Sequence, residues 1–123
     1  MKLTENQIEF IKNNEWMILA TASKDGMPRA AVIIPSRVEA DRIIISNVQM
    51  STTDKNILEN PRVFINSYDR DMNRWLKISA TTETFSNGVL FDEIKKFEVG
   101  RDVEVKSIII AKPTHIESGS END

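Results

Sequence analysis

The chain has 123 residues, which fits one domain with a single small core. Charged residues make up 28% of the sequence and the net charge is −3, so we expect neither nucleic acid nor an anionic membrane as a partner. The absence of cysteine and the presence of one histidine exclude a disulfide, a thiolate nucleophile and a His-rich metal site, so we expect no metal and any chemistry to belong to a bound cofactor.

The chain is predicted to open with a short helix followed by a buried strand. Thr4 and Gln7 have the spacing of a capping box, which indicates a helix start. The run "WMILAT" from Trp16 to Thr21 is continuously apolar and is bounded by turn residues, which is typical of a strand buried on both faces.

A hairpin is predicted next. Asp25-Gly26 is the strongest hairpin signal in the chain, so the segment Arg29 to Val38 is expected to lie antiparallel to the first strand. Pro35 interrupts this segment. Because proline cannot donate to a strand ladder, it indicates an edge, a bulge or a gap in the pairing.

The middle of the chain predicts strand, loop, helix and strand. Arg42 to Asn47 gives the third strand, and the helix is predicted to start among Ser51, Thr52 and Thr53 and to end at Asn60-Pro61.

The start of this helix is a candidate phosphate site. It offers unpaired N–H groups, hydroxyls and the side chain of Lys55. By themselves these residues favour an ordinary capped surface helix, because such helices prefer the same capping residues.

Two more strands and a helix follow. Arg62 to Tyr68 is the predicted fourth strand, and Arg74 to Phe85 alternates apolar and polar residues as a fifth. The segment "VLFDEIKKFEVG" predicts a helix with Phe91 and Phe97 in the core and Gly100 as C-cap.

The C-terminal segment is predicted to contain one more strand and a tail. Val103 to Ala111 is the sixth strand, which Pro113 is expected to end. From Thr114 the sequence offers too little apolar surface to offset the entropy of ordering, so residues 114–123 are expected to be disordered, with His115 functionless.

Six strands without a strand–helix rhythm indicate a mainly β fold, a small antiparallel barrel with short peripheral helices formed by residues 1–113. The strands "AAVII", "IIIS" and "SIIIA" are apolar at adjacent positions, so both of their faces need cover. Helices or a second subunit must supply it, and we expect a homodimer. No apolar run approaches the roughly 20 residues of a membrane span and no secretion signal is visible, which favours a cytoplasmic protein.

Three segments together resemble the FMN-binding split-barrel proteins related to pyridoxamine 5′-phosphate oxidase, especially the small single-domain members. They are "ILATASKDGMPRAAVI", "DRIIISNVQMSTTDKNILENPRV" and "LKISATTETF". The resemblance implies a six-stranded antiparallel split barrel that dimerises, with FMN between the subunits. It further implies a flavoprotein of electron or hydride transfer, either an FMN-dependent oxidoreductase or an electron carrier, with a small-molecule or protein redox partner.

The resemblance also assigns candidate FMN-binding residues, while no catalytic residue is assigned. The flavin ring would lie along Val32, Ile33, Ile34, Pro35 and Ser36, the ribityl chain beside Ser46, Asn47 and Val48, and the phosphate among Met50, Ser51, Thr52 and Thr53. Arg29 either reaches the phosphate or is an exposed strand residue. Trp75 either touches the flavin from the other subunit or, as the simpler assignment, is a core or interface aromatic.

One departure from the family pattern leaves alternatives open. Family members usually carry Lys or Arg where this chain has Thr52 or Thr53, and the nearest cation within the turn is Lys55. Loss of one charge-assisted contact weakens phosphate binding. A flavin-free binding module, or a barrel that holds deazaflavin or haem, therefore remains an alternative to the FMN protein.

Overall fold

A computed structural model describes residues 1–98, 101 and 103–120. These residues form seven antiparallel strands and three helices. The helices are α1 (Glu5–Asn14), α2 (Thr52–Glu59) and α3 (Val89–Glu98). The strands are β1 (Met17–Ala22), β2 (Pro28–Ile33), β3 (Arg37–Val38), β4 (Ile43–Asn47), β5 (Arg62–Asp69), β6 (Arg74–Phe85) and β7 (Ser107–Ser120). Among the described residues, no helix is long and apolar enough to cross a bilayer.

The strand order forces the sheet to curl. The order is β2-β1-β5-β6-β7-β4-β3, so β2 and β3, which follow each other in the chain, lie at opposite edges. A flat sheet of seven strands spaced about 4.8 Å apart would separate its edges by roughly 29 Å. The four peptide units from Ile33 to Arg37 span at most about 14 Å. The sheet is therefore a half-barrel whose two edges approach each other at a seam between β2 and β3.

The prediction of six strands is wrong by one, and Pro35 explains the difference. The segment predicted as one strand from Arg29 to Val38 is divided into β2 and β3 by Ile34–Ser36. Pro35 lies in that interruption because it has no N–H to donate. The predicted gap in the pairing is thus confirmed.

Local signals gave the boundaries of several elements correctly. The capping box of α1 is present, with Thr4 N donating to Gln7 Oε1 at 2.9 Å and Gln7 N donating to Thr4 Oγ1 at 3.2 Å. Helix α2 begins after Ser51 and ends before Asn60, as the sequence predicts. The predicted fifth strand corresponds to β6 with the same bounds.

The prediction of a disordered tail is wrong for residues 114–120, which belong to β7; residues 121–123 lie outside the described part of the chain. β7 pairs with β6 from Phe85↔Ile108 to Arg74↔Ser120, so backbone pairing orders this weakly apolar segment. The register shifts between Ser79 and Ala80, opposite Pro113, which is the kind of bulge where a strand tolerates proline. The described domain therefore extends through Ser120 instead of ending at residue 113.

The two faces of the sheet bury separate apolar clusters. The larger cluster lies inside the curled sheet and includes Met17, Leu19, Ile45, Ile65 and Ile78. The second, with Phe91 and Ile94 of α3, covers the other face of β4 and β7 through Ile44, Ile108 and Ile110. Helix α3 therefore supplies part of the cover that the doubly apolar strands require.

One core assignment on α3 is wrong. Phe91 is buried as predicted, but Phe97 is 64% exposed. The buried stripe of α3 runs through Phe91, Ile94 and Glu98, and Phe97 lies beside it. The predicted C-cap Gly100 lies outside the described residues.

Candidate functional site

A cleft of about 680 Å³ lies at the seam of the half-barrel, and we call it the seam cleft. Its walls come from the end of β2, the Ile34–Ser36 connection, β4 with the turn that follows it, and the chain around the end of α3. The lining residues are Trp16, Val32, Ile33, Ile34, Ser36, Ile45, Ser46, Val48, Gln49, Met50, Glu98, Arg101 and Val103. A mostly apolar cleft with a few polar groups is the usual form of a small-molecule site.

The edge position of β2 leaves apolar side chains uncovered in this cleft. Val32 is 67% exposed and Ile34 is 53% exposed, and both line the seam cleft together with the 46% exposed Trp16. Exposed apolar surface of this kind marks a place where a ligand or another protein surface binds.

A pair of hydroxyls joins the β2–β3 connection to β4 at the seam. Ser36 Oγ and Ser46 Oγ lie 2.5 Å apart, one donating to the other, and Ser36 N donates to Ile44 O at 2.8 Å. Through these contacts the β2–β3 connection, which lines the cleft, is fixed against β4.

The turn after β4 is shaped by Asn47. This residue is buried, and its Oδ1 accepts a hydrogen bond from Met50 N at 2.9 Å, while its carbonyl accepts one from Lys106 N at 2.9 Å. Asn47 therefore acts behind the surface of the cleft, because it fixes the turn that presents Val48 and Met50 to it.

The start of α2 follows Met50 directly. The N-cap Ser51 makes no side-chain capping hydrogen bond, and Ser51, Thr52 and Lys55 are exposed. The first N–H groups of a helix have no intrahelical partner. Hydroxyls and backbone N–H groups are thus free to meet an anion here, whereas Thr53 is buried.

Two features of α2 bear on its ability to hold an anion. Asn56 Nδ2 donates to Thr21 Oγ1 at 3.1 Å between two buried side chains, which fixes the helix against β1. Asp54 places a carboxylate in the first turn, which opposes a phosphate.

The structure brings together seven of the predicted binding residues in the seam cleft: Val32, Ile33, Ile34, Ser36, Ser46, Val48 and Met50. Pro35 lies next to them but lines a smaller hollow against α1. Arg29, Lys55 and Trp75 are not brought into the cleft. Arg29 is exposed on β2, and Trp75 lines a separate hollow with Phe10 and Gly119.

Six residues that line the cleft were not predicted from the sequence: Trp16, Ile45, Gln49, Glu98, Arg101 and Val103. Glu98 carried a signal. It continues the helical spacing of Phe91 and Ile94, so a charged residue falls on the apolar stripe of α3. Ile45 and Gln49 are chain neighbours of the predicted residues Ser46, Val48 and Met50. Trp16, Arg101 and Val103 carried no local signal, because only the curling of the sheet brings them to the seam.

Glu98 is the most unusual group of the cleft. Its side chain is 1% exposed, and its Oε2 accepts a hydrogen bond from Arg101 Nη1 at 2.9 Å. The other oxygen, Oε1, has no hydrogen-bond partner among the described residues. An unsatisfied buried polar group costs roughly 1–3 kcal/mol, and more when it is charged.

Comparison with known proteins identifies the family. The family model for pyridoxamine 5′-phosphate oxidase matches residues 3–118. The uncharacterized protein MJ0282 of Methanocaldococcus jannaschii is 33% identical, covering 94% of this chain and 80% of that protein.

Solved structures share the fold at low sequence identity. HupZ of Group A Streptococcus has a TM-score of 0.88 at 22% identity, covering 97% of this chain and 95% of that chain. An FMN-binding protein of Syntrophomonas wolfei has a TM-score of 0.79 at 20% identity, covering 92% and 83%.

Proteins whose names refer to other cofactors also have this fold. An F420 reductase has a TM-score of 0.72 at 18% identity, covering 94% of this chain and 98% of that chain. HutZ, a heme storage protein of Vibrio cholerae, has a TM-score of 0.75 at 14% identity, covering 98% and 95%. The fold alone therefore leaves the cofactor open, but the family match over residues 3–118 shows that the chain belongs to the pyridoxamine 5′-phosphate oxidase family.

Proposed function

We propose that this protein binds FMN in the seam cleft and takes part in electron or hydride transfer. One observation carries the proposal: seven of the residues assigned to the flavin ring, the ribityl chain and the phosphate line one cleft that leads to the start of α2. An FMN-binding protein of the same fold supports the assignment.

The residues present suit each part of FMN. Val32, Ile33 and Ile34 offer an apolar wall to the flavin ring, and the hydroxyls of Ser36 and Ser46 lie beside it. The free hydroxyls of Ser51 and Thr52, with the first N–H groups of α2, would hold the phosphate.

The redox chemistry would be supplied by the flavin ring, and the protein would bind it, orient it and keep water away. An FMN-dependent oxidoreductase and an electron carrier both fit this division of work. The redox partner, a small molecule or another protein, would approach the open side of the cleft.

A second copy of the chain would complete the site. The exposed side chains of Trp16, Val32 and Ile34 form one wall of the cleft and need cover that the described part of one protomer does not give. A homodimer formed over this wall would bury them and enclose the flavin.

The start of α2 favours one alternative, a flavin-free binding module. Thr52 or Thr53 stands where family members usually carry Lys or Arg, and Asp54 adds a negative charge, so the phosphate would be held more weakly than in a site with a basic residue.

A haem protein has less support. Haem iron is usually held by an axial side chain such as histidine. His115 is exposed on β7, where its Nε2 lies 3.1 Å from Glu117 Oε1, and it does not line the seam cleft. A deazaflavin would use the same apolar wall as FMN, so its binding has to be compared directly.

The visible absorption spectrum tests the proposal. The purified protein is measured before and after addition of FMN, then after gel filtration, with deazaflavin and haem added in parallel samples. Retained flavin absorbance is expected with FMN. A protein that stays colourless after addition of FMN and gel filtration would favour the binding module. Preferential retention of deazaflavin or haem would show that the retained molecule, and not FMN, is the cofactor.

A further inference from the structure

Packing of the fold does not explain why position 98 carries a glutamate. Phe91 and Ile94 precede it on the buried stripe of α3, so an apolar residue at position 98 would satisfy the packing. Glu98 also ends the helix, where the negative end of the dipole disfavours an anion. A residue that is unfavourable for folding in two ways, and that borders a cleft, is a candidate for binding.

Only one of the two carboxylate oxygens of Glu98 has a hydrogen-bond partner among the described residues. Arg101 Nη1 donates to Oε2 at 2.9 Å, whereas Oε1 is buried and has no hydrogen-bond partner among the described residues. Buried carboxylate oxygens are normally satisfied, so Oε1 calls for a donor from outside this set. Glu98 and Arg101 both line the seam cleft, so we look to a molecule bound there for that donor.

The pair also restricts the chemistry of that molecule. Glu98 offers an acceptor, and the guanidinium of Arg101, which is 55% exposed, keeps N–H groups that Glu98 does not use. An acceptor next to donors complements a ligand edge that carries an N–H next to a carbonyl. A phosphate has no donor when ionised and would be repelled by the carboxylate.

We infer that Glu98 and Arg101 recognise a planar heterocycle through an N–H that lies between two carbonyls, with Glu98 Oε1 accepting from the N–H and Arg101 donating to a carbonyl. The inference rests on the proposed function, since FMN carries such an edge on its pyrimidine ring, at N3. Glu98 and Arg101 are then the residues that select the ring, and the start of α2 selects the phosphate.

The test compares FMN with N3-methyl-FMN, which lacks the donor. Dissociation constants for both are measured by fluorescence titration on the wild-type protein and on Glu98→Gln. In Glu98→Gln the amide oxygen is expected to stay toward Arg101. The NH₂ group, which is a donor, then faces the ligand in place of the acceptor Oε1. Glu104→Gln is the control, since Glu104 is exposed, lies outside the cleft and loses the same charge.

Glu98→Gln is expected to weaken FMN about tenfold, which corresponds to about 1.4 kcal/mol, while Glu104→Gln leaves binding unchanged. The methyl group is expected to weaken binding to the wild type at least tenfold and to Glu98→Gln much less. Glu98→Leu, which continues the apolar stripe, is expected to raise the melting temperature of the ligand-free protein and to lose the discrimination. It keeps the test valid if Glu98→Gln does not fold.

The outcomes separate the two proposals. A wild type that binds FMN and N3-methyl-FMN equally well, or a methyl effect of the same size in the wild type and both Glu98 variants, overturns the inference and leaves FMN binding intact. A wild type that binds neither flavin overturns the proposed function and the inference with it.

Discussion

The hydroxyl oxygens of Ser36 and Ser46 lie 2.5 Å apart and join the β2–β3 connection to β4. Both residues line the seam cleft, so this hydrogen bond connects the position of the β2–β3 connection with the shape of the candidate FMN site.

Ser46→Ala tests that connection. Loss of the hydroxyl removes the bond to Ser36, so the free energy of unfolding is expected to fall by about 0.5–1.5 kcal/mol and FMN binding to weaken. Urea denaturation and FMN titration measure the two effects. Ser86→Ala, at an exposed position outside the cleft, is the control. Unchanged values in both assays would show that the bond does not fix the β2–β3 connection.

Lys55→Ala is expected to weaken FMN binding by about 1–3 kcal/mol, the usual size for a hydrogen bond to a charged group. Lys55 is exposed in the first half of α2, the nearest cation in the chain after Ser51–Thr53. Lys95→Ala and Lys96→Ala remove the same charge from α3. Equal dissociation constants across the three variants would exclude Lys55 from the phosphate site.

Thr52→Lys tests the missing basic residue in the opposite direction. A cation at this exposed position at the start of α2 is expected to tighten FMN binding and to make it more sensitive to salt. Leu58→Lys adds the same charge near the other end of the helix, at a side chain that is also exposed. If both variants bind FMN alike, the phosphate does not lie at the start of α2.

Helix α2 and strand β6 were predicted with nearly correct bounds because their signals are local. Capping residues and Asn60-Pro61 delimit the helix, and alternation marks the strand. The last part of β7 could not be predicted in the same way. Its order comes from pairing with β6, far away in the sequence, and from the indole of Trp75, which covers Gly119.

The candidate site was likewise predictable only where its residues carry a local pattern. The residues of β2, the β2–β3 connection, β4 and the turn before α2 carry the family pattern, and seven of them meet in one cleft. Glu98 and Arg101 were not predicted. The helical spacing of α3 marks Glu98 as a charge on an apolar stripe, but only the half-barrel brings the end of α3 to the seam.

Gly119→Ala tests the ordering of the C-terminal segment. A Cβ at position 119 would lie 2.7 Å from Trp75 Cζ2, so the indole must shift, and a loss of about 1–3 kcal/mol is expected. Thermal melting measures it, with Ser118→Ala, at an exposed neighbour, as control. Removal of the chain from Thr114 onward is expected to lower the melting temperature further. A truncated protein as stable as the full chain would contradict the contribution of this segment.

Sedimentation velocity with and without excess FMN, over a dilution series, tests whether FMN binding and dimerisation are linked. If FMN binds in a cleft that a second copy closes, binding and dimerisation are linked, and FMN must shift the equilibrium toward the dimer. We predict that flavin absorbance sediments with the dimer and that FMN affinity falls as the protein is diluted. A monomer that binds FMN with the same affinity at every protein concentration would contradict the account.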